Sequence, residues 1–118
     1  MKHAFAQDAV LSMEPEADER APGAAVTLAL CGHWDHDPPC PLAPHHVGIQ
    51  RRGDDLKVRV LFVTSPDAEY EVRDRIRRAL SGLWPLPEEF STSWKLLDCR
   101  PSEVRKDELQ HAERLMRN

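Results

Sequence analysis

Between Cys31 and His46 the chain reads C-G-H-W-D-H-D-P-P-C-P-L-A-P-H-H. Four prolines and a glycine from Gly32 to Pro44 exclude a continuous strand or helix there, because each proline lacks a backbone N–H and holds φ near one value. The stretch is an irregular loop, and regular structure has to stop before it and resume at about His45.

The same segment holds two of the three cysteines and four of the six histidines. These residue types coordinate a borderline metal such as zinc. Prolines suit such a loop, since a backbone that is already restricted loses less entropy when ordered around an ion. A bound metal would also couple folding to binding in a small domain.

Ala24 to Cys31 reads as the first strand, with Val26, Leu28 and Leu30 alternating onto one face. Cys31 and His33, two apart on that strand, would then face the same side. One of His45 or His46, at the start of the next strand, would share it, and Cys40 would fold back from the loop tip. The expected ligand set is Cys31, His33, Cys40 and either His45 or His46, two thiolates and two imidazoles around zinc. Asp35, Asp37 and His36 would orient the imidazoles by accepting their N–H groups, or one of them, with His36 the first candidate, would itself be a ligand. The spacing C-x-H-x6-C-x4-H-H matches no zinc-finger pattern. The competing reading is an exposed loop whose side chains make ordinary hydrogen bonds.

Elsewhere the chain is punctuated clearly. Residues 45–52 and 56–64 are two strands around Gly53-Asp54-Asp55, a hairpin signal. Ser65 and Pro66 open a helix, with Ser65 offered as its cap. Val72, Ile76, Ala79, Leu80 and Leu83 form its apolar stripe, and Gly82, Pro85 and Pro87 end it. Ser93 to Cys99 is a fourth strand. A second helix follows Pro101 with Ser102 as cap and Val104, Leu109, Ala112, Leu115 and Met116 inward. Residues 1–23, acidic and without sustained apolar period, read as a flexible tail with room for a short helix over 4–13. Residues 24–118 form a single domain. The order β-β-β-α-β-α implies an α+β fold, a four-stranded, mostly antiparallel sheet with two helices on one face.

Charge and cysteine number narrow the function. Net charge is −4 and no long Lys/Arg run is present, so nucleic acid is not an expected partner. Arg73, Arg75, Arg77 and Arg78 interleave with Glu69, Glu71 and Asp74 at helical spacing and read as a salt-bridged, solvated helix face. No apolar run reaches the roughly 18 residues of a membrane span. Gln7 and Asp8 interrupt the N-terminus before a signal-peptide core can form, so a cytoplasmic location is expected. Three cysteines argue against a disulfide framework there. Cys99 reads as a half-buried strand residue or a distant recruit to the metal site. Trp94 reads as core, Trp84 as the core's edge, and Trp34 as part of the Cys/His cluster.

The leading functional expectation is a zinc-binding module in which the metal is chiefly structural and the surface engages a protein partner or a second copy. Two alternatives use the same residues. One is a hydrolase-like metal enzyme with an open coordination position, with Asp35, Asp37 or the spare histidine as base. The other is a metal carrier or sensor.

Overall fold

The computed structural model describes residues 2–31, 43–82 and 94–117, and at Cys31 the backbone alone. The elements are β1 (His3–Ser12), α1 (Ala21–Cys31), β2 (His45–Arg52), β3 (Asp55–Thr64), α2 (Glu69–Leu80), β4 (Lys95–Ser102) and α3 (Leu109–Met116). Short 3-10 turns, Pro66–Ala68 and Lys106–Glu108, lead into α2 and α3. One four-stranded sheet has the order β2-β3-β1-β4, and every neighbouring pair is antiparallel. β1 and β2 therefore run parallel with β3 inserted between them, and β3 and β4 run parallel with β1 between them. Parallel strands cannot be joined by a tight hairpin, so α1 and α2 serve as the crossovers. This is the split βαβ, or ferredoxin-like, arrangement with one helix appended. Topology of this kind carries no activity of its own.

The α+β class and the four-stranded antiparallel sheet agree with the sequence reading, but three elements differ. Residues 3–12, expected inside a flexible tail, form a central strand bonded to β3 on one side and β4 on the other. Its character is hidden because its buried residues are small or polar: Ala6, Gln7 and Ala9 are buried beside Leu11. Gln7 is satisfied there, accepting from Arg73 Nη1 at 2.7 Å and donating to Cys99 Sγ at 3.1 Å. The expected strand at 24–31 is instead α1, which starts at Ala21. Alanines at 21, 24, 25 and 29 favour helix, and Pro22 sits in the first turn, where no N–H is missed. Nearly every side of α1 is buried, so no polar face marks the helical period.

α1 and α2 pack side by side on one sheet face. Leu11, Val26, Leu30, Val58, Val60, Phe62, Val72, Ile76 and Leu80 form the main core between them and the sheet. Arg73 lies over the Phe5 and Phe62 rings, 5.6 and 5.3 Å from their centroids. The hairpin turns at Gly53, whose φ of 60° is the positive value that a two-residue turn asks of its first central residue. Ser65 precedes the turn into α2, but its side chain makes no capping hydrogen bond. The salt-bridged face of α2 is present as Arg73–Glu69, Arg75–Glu71 and Asp74 with Arg77 and Arg78.

The last helix also differs from expectation. β4 continues through Pro101 to Ser102, which an edge strand tolerates because proline's missing N–H can face away from the sheet. α3 begins only at Leu109 and lies on the opposite sheet face from α1 and α2. There Ala112 and Leu115 bury Leu61 and Val63, flanked by Ala4 and Val104. Leu109 and Met116, expected to point inward, are exposed. Among the described residues no helix is long and apolar enough to cross a membrane.

Candidate functional site

Two places concentrate chemistry. The first is the sheet face that α3 covers only in part. Alternation along the strands sends His46, Gly48 and Gln50 of β2, Lys57 and Arg59 of β3, and Asp8 of β1 to that face. α3 roofs the end near Leu61 and Val63, leaving the rest as an open groove of about 540 Å³.

Arg59 stands at the junction of roof and groove. Its Nε and Nη2 donate to both carboxylate oxygens of Glu108 at 2.8 and 2.7 Å. Nη1 reaches Asp8 Oδ1 at 2.8 Å and Ser102 Oγ at 3.1 Å, and Nη2 also reaches the Glu103 carbonyl at 2.7 Å. A guanidinium has five N–H donors, and these contacts engage all of them. The Arg59 side chain holds Glu108 down to a pKa of about 2, with the Arg105 backbone N–H assisting against burial. The same carboxylate, seconded by Asp8, pushes the guanidinium up. Glu108 immediately precedes α3, so this bidentate pair fastens the helix to β3, while Asp8 and Ser102 extend the bracing to β1 and β4.

Beside this clamp the His46 and His111 rings lie 4.4 Å apart, centroid to centroid, at a 53° tilt. Partial burial lowers the His46 pKa, the neighbouring His111 adds to the effect, and Glu108 opposes it.

The second place is where the chain enters and leaves the Cys/His segment. His33, His36 and Cys40, with Trp34, Asp35 and Asp37, lie outside the described residues, as do Leu83 and Trp84. Cys31 is the last residue of α1 rather than a strand residue, so its expected sharing of a strand face with His33 does not apply. His45 and His46 point to opposite faces of β2. His45 turns toward α1, where its Nδ1 lies 3.1 Å from the Ala43 carbonyl and its Nε2 3.0 Å from Thr27 Oγ1. His46 turns toward α3 and is separated from α1 by the sheet. Among the described residues no three His, Cys, Asp or Glu side chains are grouped so as to hold a metal.

Cys99 is half-buried on β4, and burial pushes its thiol pKa up. Trp94 packs on the core just before β4, its Nε1 donating to the Leu80 carbonyl at 2.8 Å. No protein family, curated protein or solved structure matches this chain.

Sequence reasoning missed Arg59, Asp8, Glu108 and His111. A signal for them existed in β3, where Asp55 to Val60 alternates polar and apolar residues while Leu61-Phe62-Val63 does not. Loss of alternation means both faces are covered from Leu61 onward, which calls for a second layer and places Arg59 at its rim.

Proposed function

We propose that the chain is a small zinc-binding module in which the metal is chiefly structural, held by Cys31, His33, Cys40 and His45, and that its surface serves as an accessory or interaction module. The observation that carries this reading is the pose of His45. Donation of Nδ1–H to a backbone carbonyl is the support that metal-ligating histidines commonly have, and it leaves the Nε2 lone pair as the coordinating position. That lone pair points toward Thr27, one helical turn before Cys31. Both ends of the Cys/His segment thus meet at one corner, which suits a cage built from one short stretch of chain. A metal there would displace the Thr27 hydroxyl from Nε2.

Elemental analysis of the purified chain tests the proposal. One zinc per chain is expected in the parent and in His46→Ala, and loss in Cys31→Ser, Cys40→Ser and His45→Ala. No metal in the parent, or unchanged metal in the Cys31 and Cys40 variants, overturns it. Chelation should lower the thermal midpoint and expose the core. A fully folded apo chain of unchanged midpoint would remove the structural role.

A further inference from the structure

We infer that the groove on the second sheet face binds a small organic anion, a carboxylate or phosphate carried on a partly apolar body. Its volume of about 540 Å³ lies within the roughly 300–1,000 Å³ of small-molecule sites.

Charge is the first argument. Lys57, Arg59, Arg100 and Arg105 line the groove against only Asp8 and Glu108, in a chain whose net charge is −4. Both carboxylates already bind the Arg59 guanidinium. Lys57 makes no ion pair among the described residues. Arg100 has one at 3.7 Å to Asp98, and Arg105 reaches Asp107 and Glu108 at 3.3 and 3.7 Å. Arg100 and Arg105 are themselves exposed, and their long pairs are weak and easily exchanged for a ligand's anion. A positive cleft in an acidic protein attracts anions and repels cations.

Gly48 is the second argument. Its φ is not in the positive range that would demand glycine. A Cβ there would meet only the Arg59 carbonyl oxygen, at an ordinary 3.8 Å. Neither strain nor crowding therefore requires glycine in the middle of β2, and glycine inside a strand often marks close approach by a ligand. Its missing side chain deepens the groove between His46 and Gln50. Val10 and Leu61 add apolar surface, and the His46 ring stands at the wall.

Amide NMR titration of the full chain with benzoate, phenyl phosphate and benzylamine tests the inference. Benzoate or phenyl phosphate should shift Gly48, Gln50 and Lys57 saturably, the tighter of the two identifying the headgroup, and benzylamine should not. Added salt should weaken the binding. Gly48→Leu fills the groove and should abolish it, and the charge-reversing Lys57→Glu on an exposed side chain should weaken it about tenfold or more. Absence of saturable shifts with both anions, equal response to benzylamine, or parent-like affinity in Lys57→Glu overturns the inference. So does retained binding in a folded Gly48→Leu. Should Gly48→Leu fail to fold, Lys57→Glu decides. The titration is read on the parent chain and its Gly48 and Lys57 variants, so the metal content of the cysteine variants does not enter this outcome.

Discussion

The two faces of the sheet are covered by different physics. Under α1 and α2 the contact is almost wholly apolar, and its polar members, Gln7 and Arg73, are tied to each other and to backbone. Under α3 the apolar contact shrinks to Leu61, Val63, Ala112 and Leu115, and a charged clamp at Arg59 supplements it. A helix of eight residues cannot bury enough surface to hold itself by apolar contact alone. A bidentate Arg–carboxylate pair adds orientation as well as energy. The face with the smaller apolar contact is also the one that keeps an open groove, which a fully apolar covering would have closed.

Cutting into the apolar face should have the largest effect. Phe62 is fully buried, stacks on Phe5 and carries Arg73 over its ring. Phe62→Ala should lower unfolding free energy by about 3–5 kcal/mol, measured by urea denaturation. A loss no larger than that of a surface substitution would mean the two faces are not distinct in this way.

The clamp should rank second. Glu108→Gln removes the charge and one oxygen of the bidentate pair, and should cost about 1–2 kcal/mol at pH 7. The sign of its pH dependence follows from a folded-state pKa of about 2 against an ordinary 4.5. On acidification the unfolded chain takes up the proton first. The stabilisation is therefore complete above about pH 5 and declines as pH falls through 4.5 toward 2. Urea midpoints of parent and variant should converge across that window, and a gap that stays constant would remove Glu108 as the titrating group.

The histidine pair should show the smallest effect. His46 titrates below the ordinary imidazole value of 6.5, first through burial and then through His111. His111→Gln should raise its midpoint, read from the ring C–H shifts by NMR. Since the folded-state value is the lower one, what the neutral ring contributes is present above the ordinary value and is lost as pH falls through the folded midpoint. A midpoint that does not move in His111→Gln would break the coupling of the two rings.

Legibility in the sequence followed local strength of signal. The hairpin and α2 were readable because glycine, proline and apolar spacing coincide over short windows. β1 was not, since Ala4, Ala6, Gln7 and Asp8 carry little intrinsic strand preference and become a strand only by pairing on both sides. α1 failed differently. Val26-Thr27-Leu28-Ala29-Leu30 fits an alternating pattern, and burial on nearly all sides leaves no polar face to reveal the helical period. His45 and His46 could not be separated by composition, whereas strand alternation sends them to opposite faces.

By itself the sequence determined the α+β class, the hairpin, the ion-paired face of α2 and the concentration of metal-binding residue types between Cys31 and His46. Those depend on interactions within a few residues. Only the tertiary structure decided that β1 is central, that α3 lies opposite the other helices and that Arg59 gathers Asp8, Ser102 and Glu108 from separate elements. It also decided that a glycine-floored groove opens beside the histidine pair. The physical reason is that partners far apart in sequence, as Arg59 is from Glu108 by 49 residues and from Asp8 by 51, are brought together by sheet pairing and leave no mark in the local pattern.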